Sequence, residues 1–229
     1  MLAGCFHYTK SDRAIFVAAY NELCRVDLIG KKVLEICCGY GELALALARL
    51  HPDTEVVALD RHRETASAIH TGEVKNLKHV CGDALQMEAF PEKSFDLVYA
   101  QAALHHLAHD AAAVGSQCAR VLRPGGRLVF IYEPLGHNPL YAMIRAYRVS
   151  RKQMEDESNI FLKTVERVGQ EFSTCEVQVF NLLGYPLKLL GKWMPYPVID
   201  SVHRFDAALM RSCCGLARMA ANCNIVFTR

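Results

Sequence analysis

Short apolar runs alternate with helical patterns along the first 130 residues, and this alternation restricts the fold more than any other feature of the chain. "KKVLEIC" (31–37), "EVVALD" (55–60), "LKHVCGD" (77–83), "FDLVYAQ" (95–101) and "GRLVFIYE" (126–133) are continuous and bounded by turn residues, so they read as buried strands. Between them lie the helical patterns "GELALALARL" (41–50), "RETASAIHTG" (63–72) and "AHDAAAVGSQCARVL" (108–122). The connections are short enough for βαβ units, which implies a parallel sheet covered on both faces. "RPGG" (123–126) predicts a turn into the fifth strand.

After Glu133 the pattern changes. "GHNPLYAMIRAYRVSRKQ" predicts a helix starting near His137–Pro139, with Asn138 as a cap and Pro139 in the first turn. "ESNIFLKTVERVGQEF" (157–172) predicts a second helix, "CEVQVFNLL" (175–183) a strand, residues 200–220 a helix and "NCNIVFTR" a short last strand. No internal repeat, low-complexity segment or linker interrupts the 229 residues, so one domain over 1–229 is expected, with 134–172 as an insertion in it.

Composition excludes several classes. With 52% hydrophobic and 22% charged residues the chain is ordinary for a globular protein, and a net charge of +2 gives no reason to expect a nucleic-acid or membrane-surface partner. No basic segment followed by an apolar core marks a secretory signal, and no uncharged apolar run is long enough to span a bilayer. A cytoplasmic protein is expected. The ten cysteines show no C-x-x-C and no zinc-type Cys/His spacing, so reduced thiols packed as small hydrophobes are expected and no metal site is.

The stretch "EICCGYGELA" (35–44) joins the first strand to its helix through Gly39 and Gly41. A glycine turn there lets backbone approach a ligand, and the helix start offers free N–H groups. In an open α/β sheet this turn lies at the carboxyl ends of the strands, where ligands bind. Asp60 closes the next strand, where a carboxylate can accept both ribose hydroxyls of an adenosine cofactor. Glu35 in the first strand would repel a pyrophosphate but suits a cofactor carrying a sulfonium and an ammonium. Gly82-Asp83-Ala84 closes the third strand, where Asp83 can accept from an adenine amine and the Ala84 N–H can donate to a ring nitrogen.

The stretches "VLEICCGYG", "VVALD", "CGDAL", "FDLVYAQAALHHL" and "RVLRPGGRLVFIYEP" resemble, in order and spacing, the class I S-adenosylmethionine-dependent methyltransferases, in their small-molecule branch. The resemblance spans about residues 30 to 135 and implies a Rossmann-like three-layer sandwich. Its sheet would have seven strands, mostly parallel with an antiparallel last strand, under a helical lid. It implies that residues 1–29 and 134–172 form that lid, with Phe6, Tyr8, Tyr141 and Tyr147 available to line it. It further implies that the turn backbone holds the methionine part of the cofactor and Asp60 the ribose. Arg61 would pack beside the adenine, Asp83 and Ala84 would read it, and Gln101 would face the methionine carboxylate or amine. The family's E-x-G-x-G-x-G motif here reads Glu35, Cys37, Gly39, Gly41, with Cys37 replacing the first glycine.

Candidate groups for the chemistry lie at the ends of strands four and five: His105, His106, Glu133 and His137, with Asn138 and Tyr141 beside them. Methyl transfer needs positioning and, for some acceptors, a base. Two other uses of such a site stay open. One is intramolecular cyclisation or lysis of S-adenosylmethionine, releasing methylthioadenosine; the other is cofactor binding without catalysis. Neither the acceptor nor the oligomeric state is legible in the sequence.

Overall fold

The computed structural model describes residues 21–25, 27–62, 74–139, 141–143, 146–147, 158–182, 196–212, 214–217 and 219–229. Tyr8, Phe6, most of the expected 1–29 lid, the expected helix at 63–72 and much of 134–172 lie outside them.

Seven strands form one sheet in the order β3-β2-β1-β4-β5-β7-β6. They are β1 (Lys32–Ile36), β2 (Glu55–Asp60), β3 (Leu77–Cys81), β4 (Phe95–Gln101), β5 (Leu122–Pro134), β6 (Thr174–Phe180) and β7 (Asn222–Thr228). The first five pair in parallel, and β7 runs antiparallel to both β5 and β6. The expected seven-stranded, mostly parallel α/β sheet with an antiparallel last strand is the observed one.

The strands are apolar throughout because both faces are covered. Leu34, Ile36, Val98, Ala100, Leu128 and Phe130 face one core, which helix α2 (Ala111–Val121) covers with Ala111, Val114 and Cys118. Val33, Val56, Ala58, Leu97, Tyr99 and Val129 face the other, which helix α1 (Glu42–Leu50) covers with Leu43, Ala44 and Leu47. Helices α3 (Leu162–Val168), α4 (Tyr196–Ser212) and α5 (Cys214–Ala217) follow.

Four local expectations differ from what forms. "RPGG" does not precede β5 but lies inside it. The ladder passes from Phe95–Leu122 directly to Leu97–Arg127, so residues 123–126 bulge out of it, with Gly125 at φ +76°. The helix expected over 157–172 is shorter. Ile160, fully buried, instead bridges Leu135 in parallel, and helix begins only at Leu162. β3 is less buried than its apolar run suggests, because it is an edge strand with a neighbour on one side only. Among the described cysteines all are free thiols; Cys38, Cys118 and Cys223 are buried as expected, whereas Cys81 and Cys175 are exposed on the two edge strands.

Helix α3 packs on α2 across Gly115. A Cβ there would lie 2.3 Å from the Val168 carbonyl oxygen and 2.9 Å from its Cα. Helix propensity alone favours alanine by about 1 kcal/mol. The clash reverses that sign, and Gly115→Ala is expected to lower stability by about 2 kcal/mol in urea unfolding. A stabilised variant would contradict the packing.

Candidate functional site

All parallel strands point their carboxyl ends to one edge of the sheet. The strand order reverses between β1 and β4, the switch point where such sheets bind ligands. The β1–α1 turn sits beside it. Cys37, Gly39 and Gly41 have φ of +53°, +53° and +64°, so every second residue of the turn is left-handed. The place a Cβ would occupy at Gly39 has no atom of the described residues within 4 Å, leaving space over the turn among them. Gly41 caps α1, whose N-terminus faces the same edge.

Asp60 is tied to this turn. Its Oδ2 accepts from the Gly39 N–H at 2.8 Å and its Oδ1 from the His62 N–H at 2.9 Å, which orients a buried carboxylate at the end of β2. The Gly82 N–H donates to the Asp60 carbonyl at 2.9 Å, bringing the β3 end alongside. Asp83 Oδ1 accepts from the Leu85 N–H at 2.9 Å in a local turn, with Ala84 buried next to it. Arg61 is exposed, its Nε 3.3 Å from His62 Nε2, and Gln101 is half-buried at the end of β4.

Glu35 lies deeper than Asp60 and Asp83. It is 3% exposed, under the turn, where the Tyr99 hydroxyl donates to its Oε2 at 3.2 Å. Burial pushes its carboxyl up to about 8; the bonds from Tyr99 and from the Ala44 N–H pull it down, and the Asp60 charge raises it. Tyr99 was not among the candidates. Its signal was available in the register, since Glu35 and Tyr99 are partners on neighbouring strands and share a face.

Cys37 occupies a left-handed position where a side chain costs about 1–2 kcal/mol. Burial raises its thiol to about 12, and the charges of Asp60, Asp83 and Glu133 add to that, which disfavours the nucleophilic thiolate. The family's glycine is therefore explained by backbone conformation as well as by room. Cys37→Gly is expected to keep the fold with stability unchanged or raised by up to about 1 kcal/mol, and Cys37→Val to lose about 2 kcal/mol in thermal unfolding. Equal stability of the two variants would contradict the strain.

The remaining candidates gather at the ends of β4 and β5. Glu133 is fully buried, and both its oxygens are engaged. Oε1 accepts from the Ala103 and Leu104 N–H groups, each at 2.8 Å; Oε2 accepts from the His105 N–H at 3.2 Å and from His105 Nδ1 at 2.9 Å. Glu133 thus clamps the start of a 3-10 turn (Leu104–His106) and orients the His105 ring, which stacks on His106 with centroids 4.1 Å apart. In the neutral ring that donates Nδ1–H to Glu133, Nε2 is the acceptor. Asn138 is engaged at both ends: Oδ1 caps the Tyr141 N–H at 3.1 Å and Nδ2 donates to the Met219 carbonyl at 2.7 Å. His137 is exposed with its ring edge-on to Phe161, and Tyr141 is buried against Ala221. Among the described residues no group of three or more His, Cys, Asp or Glu could hold a metal ion. No helix among them is long and apolar enough to cross a membrane.

Comparison with known proteins agrees with this geometry. Residues 34–130 match the family described as "Methyltransferase domain". The ubiquinone biosynthesis O-methyltransferase of Psychrobacter arcticus is 31% identical over 145 residues, covering 58% of this chain and 53% of that protein. The sterol 24-C-methyltransferase erg6 of Aspergillus fumigatus is 39% identical over 128 residues, covering 51% of this chain and 33% of that protein. The chain thus spans about half the length, or less, of these curated relatives. The structure of Haemonchus contortus phosphoethanolamine N-methyltransferase 2 in complex with S-adenosyl-L-methionine superposes with a TM-score of 0.63 at 20% identity, covering 92% of this chain and 51% of that one. Residues 34–130 thus resemble a methyltransferase domain, and the fold around them is shared with methyltransferases of known structure.

Proposed function

We propose that the protein transfers a methyl group from S-adenosylmethionine to a small-molecule acceptor. The observation that carries this reading is the β1–α1 turn, left-handed at 37, 39 and 41, tied through the Gly39 N–H to the Asp60 carboxylate. The residues present fit the cofactor. Open space over Gly39 suits the methionine part, and Gln101, at the end of the strand beside β1, would meet its charged end. Asp60 would accept from the ribose, Asp83 and Ala84 would contact the adenine, and Arg61 would lie beside it. Glu35 and Cys37 act from beneath, supporting the turn. Tyr8 belongs to the same expectation.

S-adenosylmethionine, when bound, supplies an electrophilic methyl on a sulfonium with a neutral leaving group. The chain's own part is to hold the acceptor in line, exclude water and take a proton where the acceptor has one. His105 Nε2 is the group for that proton, and Glu133 positions it. Asn138 and Tyr141 shape the wall beside them, and His137 the rim. The relatives named above are O-, C- and N-methyltransferases, so the shared domain is compatible with several attacked atoms.

Incubation with S-adenosylmethionine, alone and with a panel of small acceptors, tests the reading. S-adenosylhomocysteine formed only when an acceptor is present is the expected result. Methylthioadenosine formed without acceptor would replace it by cyclisation or lysis, and tight binding with no turnover by a binding role.

A further inference from the structure

Five described non-glycine residues have positive φ: Cys37, Lys93, Ala102, Tyr132 and Asn181. Lys93 lies in the turn before β4. The other four lie at the carboxyl edge, because β7 runs antiparallel and so returns the end of β6 to that side. Strain of this kind persists only where the surroundings hold it, and it gathers at functional sites. Cys37 and Ala102 belong to the cofactor half of the edge. Tyr132 and Asn181 belong to the other half, over β5, β7 and β6, and neither has a role above.

Tyr132 sits in a bulge: Phe130 pairs with Ile225 and Glu133 with Cys223, so β5 carries one residue more than β7 between those rungs. A bulge re-aims a side chain. The Tyr132 N–H donates to Asn224 Oδ1 at 3.0 Å, and the ring lies 5.6 Å from that of Phe180. Asn181 Nδ2 donates to the Tyr132 hydroxyl at 3.4 Å and to Asn222 Oδ1 at 3.0 Å. Asn181 and Asn222 are each 2% exposed. Yet Asn181 Oδ1 is buried with no hydrogen-bond partner among the described residues. An orphaned amide oxygen costs about 1–3 kcal/mol, and the frame around it is built of further amides where apolar side chains would be more stable. The other such orphan among the described residues, Asn159 Oδ1, lies in the segment that bridges the end of β5, so both fall at this edge.

The geometry points to a hydroxyl-reading subsite for the methyl acceptor, in which Asn181 Oδ1 accepts the O–H of a neutral small molecule and Tyr132 and Asn222 fix the amide. The cluster offers amides and a phenol, and the neighbouring Glu133 carboxylate is fully engaged, so a neutral hydroxyl fits it better than an ammonium. This inference rests on the methyl-transfer reading: the cofactor takes the β1–β2–β3 half of the edge and the acceptor the β5–β7–β6 half.

Phenol and toluene, alike in shape but for the hydroxyl, probe the subsite. Each is titrated into 15N-labelled protein saturated with S-adenosylhomocysteine, and the side-chain amide signals are followed by NMR. Phenol is expected to bind about tenfold tighter than toluene and to shift the Asn181 amide pair. In Asn181→Gly, which adopts the left-handed backbone freely, the preference falls below about twofold while S-adenosylhomocysteine affinity stays within about twofold. Equal binding of the two probes to the native protein, as when a fixed water satisfies Asn181 Oδ1, would overturn the inference, and so would a preference that survives in Asn181→Gly. If that variant does not fold, the native Asn181 shift with phenol and its absence with toluene decide. Failure of the native protein to bind S-adenosylhomocysteine would instead overturn methyl transfer, and the probe comparison is then read on the protein alone.

Discussion

Glu133→Ala is expected to cost about 4 kcal/mol or more of unfolding free energy, the largest effect of any single substitution at the edge. The side chain is fully buried, and its two oxygens serve four donors from Ala103, Leu104 and His105. Alanine would leave three backbone N–H groups and a ring N–H buried without an acceptor, each at about 1–3 kcal/mol, beside a small cavity. Glu133→Gln separates the carboxylate's two duties. Its amide oxygen can still serve Ala103 and Leu104, but its NH2 opposes the two donors of His105, so a smaller loss of about 2 kcal/mol is expected. A role for Glu133 in positioning His105 further predicts that this variant changes the pH profile of methyl transfer, which loss of stability alone would not do. Urea unfolding within about 1 kcal/mol of the native protein for Glu133→Ala would contradict the clamp.

Glu35→Gln is expected to act in the opposite direction. Burial raises the Glu35 carboxyl to about 8 from an ordinary value of 4.5. Its folded value therefore lies above its unfolded one. Below pH 4.5 the group costs nothing through ionisation, and as pH rises through 4.5 toward 8 the unfolded state loses its proton first and stability falls. Glutamine does not titrate and can still accept from Tyr99 and Ala44. The variant is expected to lose that slope and to be more stable than the native protein by roughly 3 kcal/mol at pH 7.5, with little difference at pH 4.5. The same substitution should weaken S-adenosylmethionine binding, because a cation over the turn favours the ionised carboxyl. Native affinity for the sulfonium should then rise between pH 6 and 8, and affinity for S-adenosylhomocysteine, which lacks the sulfonium charge, should change less. Parallel stability curves for the two proteins over pH 4.5 to 7.5 would contradict a buried, raised Glu35.

The order of elements was legible because the central strands are buried on both faces and so appear as unbroken apolar runs. Edge position was not, since β3 resembles a central strand in composition and is distinguished only by having one neighbour. At the site, Cys37 stood out as a departure from the motif, and a glycine preference is itself a sign of the left-handed backbone found there. The cap at Asn138 followed from its place before Pro139 and is present. What could not be read were long-range partners. The donors on Glu133 come from a turn after a different strand, and nothing near "YEP" announces them. The Asn181 cluster joins three strands, although two asparagines at alternate positions of the apolar stretch "NCNIVF" were a local oddity that marked it.

The central claim is that the carboxyl edge over β1 and β2 holds S-adenosylmethionine, and calorimetric titration with S-adenosylhomocysteine tests it most directly. Saturable one-to-one binding is expected, weakened about thirtyfold or more in Asp60→Ala, which removes the carboxylate tied to the turn, with the variant still folded. No binding by the native protein, or equal affinity in folded Asp60→Ala, would contradict the account.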